Sequence, residues 1–359
     1  MSALRIGLIA PPWVPVPPPA YGGTEVVIDV LARGLQRAGH HVVLFATGDS
    51  TCPVPRRWRY ERALGTEAPG EAEVGHVAAA YALLDGKVDV IHDHTLAGPR
   101  HLARTKVRTP VVVTAHGPFV PDQIAAYQPV SDRVALVAIS HAHAAGAVGL
   151  PISAVIPHGL ELDQTPVGTG GGGYVAFLGR MSPDKGPGRA IRAARAAGVP
   201  IRLAGKMWEA AERRCFAEQV EPLLGRDAVY VGEVRGVDKC AFLGEARALL
   251  NPILWPEPFG LVMIEALACG TPVVTFAEGA APEIVRHGID GFLCADEATM
   301  ATAIGRLEEL DRRRCREGVM ARFAADRMVA DYVALYRSLA EPSSSTDPAA
   351  PPVATTRPA

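Results

Sequence analysis

The sequence predicts an α/β protein of two similar units, each a parallel sheet covered by helices on both faces. Three observations carry this reading. At 359 residues the chain is longer than one typical domain and suits two. Short continuous runs of Val, Ile, Leu and Ala alternate with helical stretches, as expected of parallel strands buried on both sides. A segment rich in glycine and proline, 161–173, interrupts this alternation once, after which it starts again.

Residues 4–10 are apolar and end at Pro11 and Pro12. With no cationic lead-in and no full apolar stretch, they read as a first strand and not as a signal peptide. The proline-rich stretch 11–21 excludes regular structure. Val27, Leu31 and Leu35 give 24–38 a helical spacing that Gly39 stops. Strands are then expected at 42–46, 88–92, 111–114, 134–139 and 154–156. The glycine run at 170–173 could suggest a phosphate-cradling loop, but such a loop needs a following lysine and helix. A strand-like run, 174–178, follows instead, so 161–173 reads as an interdomain linker.

The second unit predicts strands at 174–178, 201–204, 228–231, 248–251 and 272–275. Helices are expected at 188–197, 209–224, 239–245 and 260–269, and helical pattern prevails from 299 to about 339. The expected domains are thus 1–165 and 166–326. The tail, 341–359, has almost no apolar bulk and is expected to be disordered.

Composition narrows the partners. The net charge is -2, and residues 1–165 hold 13 Lys+Arg against 14 Asp+Glu, so no basic half points to nucleic acid. The six cysteines are scattered without a C-x-x-C pair, which fits reduced thiols in a cytoplasm and no zinc site. No run reaches the ~18 apolar residues of a membrane span. The stretch 55–62 interleaves arginines with Trp58 and Tyr60 and could touch lipid headgroups. It is short, contains Glu61 and lies in a half without positive excess, so a solvated or acceptor-facing loop is the expectation. Only Lys87, Lys106, Lys185, Lys206 and Lys239 are lysines, which gives weight to any lysine in a suggestive place.

Five segments are candidates for chemistry. In 255–274, Glu257 precedes a helix expected to start near Gly260, and Glu265 lies one to two turns in. The amides of Phe259, Gly260 and Leu261 would form an anion site at that helix start, and the two carboxylates would accept bonds from hydroxyls. Without other signals, two solvated acids on an amphipathic helix would look the same. In 177–186, Arg180 and Lys185 follow a strand and could neutralise a diphosphate. Gly22 and Gly23 open the first helix and let the backbone approach a ligand, as a bland helix-entry turn also would. His116 ends a strand, where open α/β sheets bind ligands. His92 and His94 share a face, but no third metal ligand is evident at matching spacing.

Taken in chain order, Gly22-Gly23, His116, Arg180/Lys185 and Glu257/Glu265 resemble the retaining glycosyltransferases of family 4, whose E-x7-E motif matches Glu257 and Glu265. The resemblance runs from Ile6 to about Leu339 and includes Ile139, Ser140 and the strand 156–159. It implies the GT-B fold, two Rossmann-like domains facing a cleft, with a final helix (about 327–339) crossing back onto the first. It implies a metal-independent transfer, with no cofactor, from a nucleotide-sugar donor. In that family the first Glu contacts the donor sugar and the second the ribose. The basic pair holds the diphosphate, the Gly-Gly pair faces the phosphates, and the histidine lies near the reacting sugar. Glu257, His116, Arg180 and Lys185 are accordingly the expected catalytic residues. His158 stands where the family commonly has Asn, a change expected to affect local geometry. The acceptor, whether glycan, lipid-linked or small-molecule natural product, is not indicated. The alternatives are a GT-B epimerase or phosphorylase, and a donor-binding protein without turnover. A dehydrogenase is disfavoured because prolines replace G-x-G-x-x-G after the first strand.

Overall fold

Seven parallel strands make the first sheet: β1 (Arg5–Ile9), β2 (His41–Ala46), β3 (Arg56–Trp58), β4 (Val90–Asp93), β5 (Val111–Thr114), β6 (Val134–Ala138) and β7 (Ala154–Val155). Their spatial order is β3-β2-β1-β4-β5-β6-β7. Six more make a second parallel sheet: β8 (Val175–Leu178), β9 (Ile201–Ala204), β10 (Ala228–Tyr230), β11 (Leu249–Asn251), β12 (Val273–Phe276) and β13 (Gly291–Cys294). That order is β10-β9-β8-β11-β12-β13. This computed structural model describes residues 2–65, 70–161 and 165–340. The tail 341–359 and residues 162–164 of the linker lie outside the described residues.

Continuous apolar strands are needed because both faces of each sheet are covered. Ile6 and Leu8 of β1 face one core, with Leu31 and Leu35 of the helix Gly23–Arg37. Ile9 faces the opposite core, with Tyr81 and Leu84. The helix Ala325–Ala340 joins the first of these cores through Met328, Val329, Tyr332, Val333 and Tyr336, a helical stripe. The preceding helix, Arg312–Phe323, instead buries Cys315, Val319 and Phe323 against the second sheet's core. The chain therefore changes lobe at Ala324. Beside that crossing, the Leu160 amide donates to Phe323 O at 3.0 Å and the Ala325 amide to Leu160 O at 2.9 Å.

A second tie lies closer to the cleft. The Ser140 hydroxyl donates to Pro258 O at 2.7 Å. The Glu283 carboxylate accepts from the amides of His141 (2.9 Å) and Ala142 (2.6 Å). A carboxylate of one lobe thus satisfies the exposed first amides of a helix in the other.

Three expectations need correction. Arg56–Trp58, expected in a loop, pairs with β2 as a parallel edge strand. An edge strand needs only one row of backbone partners, so it tolerates a polar, half-exposed sequence. Gly291–Cys294 is a further strand in a region without a strand expectation. The single helix expected at 209–224 is broken into Ala210–Cys215, a wider turn Phe216–Val220 and a tighter one Glu221–Leu223. Pro222 has no amide to continue an α-helical ladder.

Candidate active site

Each sheet reverses its strand order beside its first strand, between β1 and β4 and between β8 and β11. Open parallel sheets bind ligands at the carboxyl ends of such strands. Here a cavity of about 560 Å³ lies there, lined from both lobes. The first lobe contributes the loop after β1, including Trp13 and Tyr21 to Glu25, together with His116 and His158. The second contributes Gly179, Lys185, Lys206, Trp208, Lys239, Glu257, Phe259 to Val262, and Glu265.

The structure brings Gly22, Gly23, His116, Lys185, Glu257, Phe259, Gly260, Leu261 and Glu265 onto this one cavity. Arg180 is not among its lining residues. Its guanidinium contacts Asp184 at 3.1 Å and Glu212 at 3.9 Å instead. Gly23 lies against the opposite lobe, since a Cβ there would sit 3.0 Å from Leu261 Cδ1.

Glu257 and Lys185 form an ion pair, both side chains largely buried. The Trp255 indole donates to Glu257 Oε2 at 2.8 Å, and the Lys185 ammonium lies 5.1 Å from the Trp255 ring centre. The loop is fixed from behind by Gly279, whose left-handed φ of +54° and missing Cβ let its backbone meet that of Glu257. The Ala280 amide donates to Glu257 O at 3.0 Å. Gly260, with φ +99°, caps the helix Leu261–Ala268. The amides of Phe259, Gly260 and Leu261 donate no hydrogen bond among the described residues, so they offer an anion site. One turn further on, Lys239 donates to Glu265 at 2.7 Å, and this carboxylate holds the Lys239 pKa above its ordinary value.

Several cavity residues were not singled out for roles there by sequence reasoning. Lys239 is one. Lys206 lines the cavity too, a buried lysine with its ammonium 5.0 Å from the Tyr21 ring centre and 4.6 Å from that of Trp208. Lysine scarcity was the available signal: three of the five, Lys185, Lys206 and Lys239, line the cavity. Glu25 is buried beside Gly22, and desolvation pushes its carboxyl up to about 7. His158 does more than shape a turn, because its ring stacks on His116 at 5.2 Å and meets Phe259 edge-on at 5.1 Å.

The remaining histidines continue behind His116. His94 Nδ1 lies 2.9 Å from His116 Nε2, and the His92 and His94 rings are 3.9 Å apart. Both nitrogens of His92 are engaged, by the hydroxyls of Tyr336 and Thr114, each at 2.7 Å. Burial drives the pKa of His116 down to about 3 and those of His92, His94 and His158 well below the ordinary value, so these rings are neutral. Among the described residues no group of three or more His, Cys, Asp or Glu could hold a metal ion. No described helix is long and apolar enough to cross a membrane.

Known proteins resemble this chain in sequence and fold. A phosphatidyl-myo-inositol mannosyltransferase of Mycolicibacterium smegmatis is 26% identical over 355 residues, covering 89% of this chain and 88% of its own. The crystal structure of AviGT4, a glycosyltransferase involved in avilamycin A biosynthesis, superposes with a TM-score of 0.68 at 26% identity, covering 94% of this chain and 98% of that one. Anabaena HepE in complex with UDP-glucose superposes with a TM-score of 0.75 at 20% identity, covering 94% of this chain and 100% of that one. Two facing parallel-sheet lobes make the GT-B fold, and similarity to glycosyltransferases over most of the length makes this chain one of that class. The family profile Glycosyltransferase Family 4 matches residues 21–164, and Glycosyl transferases group 1 matches residues 166–319. The chain belongs to glycosyltransferase family 4.

Proposed function

We propose that the cleft binds a nucleotide sugar and transfers its sugar to an acceptor hydroxyl with retention of configuration, without a metal ion. The observation that carries this is the pairing of Lys185 with Glu257 beside the free amides of Phe259, Gly260 and Leu261. An arriving diphosphate replaces Glu257 as the partner of Lys185 and accepts from those amides. The released Glu257 carboxylate then accepts from hydroxyls of the donor sugar. Glu265, already paired with a lysine, accepts from the ribose. His116 stands beside the reacting sugar. Arg180 adds positive charge from the rim once its hold on Asp184 loosens.

As the glycosidic bond breaks, charge grows on the leaving diphosphate. Lys185, Arg180 and the helix start stabilise it, the role a metal ion has elsewhere. The Anabaena complex with UDP-glucose makes UDP-sugars the first donors to try. Purified protein is screened against a panel of nucleotide sugars by thermal shift and nucleotide release. The first-formed product is then examined by NMR before mutarotation. A product with inverted configuration rejects retention, and a panel that neither binds nor turns over rejects the donor class.

A further inference from the structure

His116 can present two different faces to the cleft. A neutral imidazole has one N–H and one lone pair, and the partner of one nitrogen decides what the other offers. His116 Nε2 faces His94 Nδ1 at 2.9 Å, so one of these atoms donates and the other accepts. His116 Nδ1 has no partner among the described residues, yet it is not enclosed by protein; it is open to the cavity that His116 lines.

The far end of His94 breaks the tie. Its Nε2 is buried and without a hydrogen-bond partner among the described residues. A buried N–H with no acceptor is rarer and costlier than an unused lone pair. His94 therefore keeps its proton on Nδ1 and donates it to His116 Nε2. His116, neutral through burial, is left with its proton on Nδ1, pointing at the cleft. His158, stacked at 5.2 Å with an interplanar angle of 23°, holds the His116 ring in that plane.

We propose that His94 is a positioning residue that fixes the Nδ1–H tautomer of His116, making His116 a hydrogen-bond donor to the bound sugar and not a base. The catalytic part of this statement rests on the transferase reading above; the tautomer does not. His94 would thus set, from behind, which proton His116 can offer to a sugar oxygen.

The test is two-bond ¹H–¹⁵N correlation NMR of the full chain labelled at histidine nitrogens, with His116 assigned by its loss in His116→Gln. The wild-type protein should show His116 protonated at Nδ1. His94→Asn, whose amide nitrogen can take the place of Nδ1, should preserve that tautomer and most of kcat. His94→Leu should let His116 shift toward Nε2–H and lower kcat on the order of tenfold, the scale of one lost hydrogen bond, with KM within about twofold. A wild-type His116 protonated at Nε2 overturns the proposal outright, and this needs no turnover and only a folded His116→Gln for the assignment. Unchanged tautomer and kcat in folded His94→Leu overturn it as well. A correct tautomer in a protein that turns over no sugar nucleotide would reject the transferase reading alone.

Discussion

Replacing Lys185 by Ala removes the one cation that, among the described residues, contacts Glu257 directly. A unit charge ~4 Å from another in a partly buried site, with an effective dielectric of ~20, contributes about 4 kcal/mol. Lys185 and Glu257 expose only 17% and 13% of their side chains, so this regime applies more closely than that of open solvent. The diphosphate is charged before the bond breaks, so only the part gained in the transition state accelerates the reaction. If that part is roughly half, the loss is about 2 kcal/mol or thirtyfold in kcat, and if nearly all, about 4 kcal/mol or a thousandfold. Glu257 keeps the Trp255 indole at 2.8 Å, so its loop should stay in place. The assay is steady-state nucleotide release at saturating donor, with circular dichroism to confirm folding. A variant with raised KM and unchanged kcat would show that Lys185 only anchors the ground state, and would refute the argument.

Other outcomes follow from neighbouring contacts. Glu265→Ala should weaken donor binding by about 1.5–3 kcal/mol, the scale of charge-assisted hydrogen bonds, as read by calorimetry with the nucleotide; affinity within twofold of wild type would remove Glu265 from the site. Turnover should survive EDTA, and an enzyme that dies on chelation and revives with Mg²⁺ would reject the metal-free proposal. Glu25 sits at about 7 in the fold against an ordinary 4.5, so its protonated form is favoured by folding. Its burden is absent below pH 4.5, grows through the window between 4.5 and 7, and is full above, amounting to roughly 3 kcal/mol. Glu25→Gln should therefore gain on wild type in urea midpoint as pH rises through that window, and a pH-independent gap would reject the assignment. The buried histidines act in the opposite sense. His76 and His143 at about 4 and His116 at about 3 lend stability that is complete above pH 6.5 and lost as pH falls through those values.

The two sheets were legible because strands buried on both faces must be continuously apolar, and 111–114 and 201–204 match β5 and β9 residue for residue. The edge strand Arg56–Trp58 was not, because a strand with one bonded side and a solvated face need not look apolar. At the site, Glu257, Glu265 and Lys185 were readable from motif and resemblance. Lys239 was not, since it reaches Glu265 only through tertiary packing, 26 positions away in sequence. His158 was misjudged for a related reason. A turn position says nothing of the ring that will stack beside it, and His116 lies in a different βα segment.

The tie between Glu283, Ser140 and Pro258 has a mechanical consequence. It joins the lobes one residue from Glu257, on the loop that carries that cavity carboxylate. Together with the crossing at Leu160 and Phe323 it fastens one edge of the lobes, so their parting is expected to be a swing about that edge, like a book opened along its spine. The gap would then widen with distance from that edge, and the contact of Tyr21 with Trp208, ring to ring at 6.2 Å, would have to break as it opened. Glu257, one residue from that edge, would move least while the rest of the cavity opens to solvent.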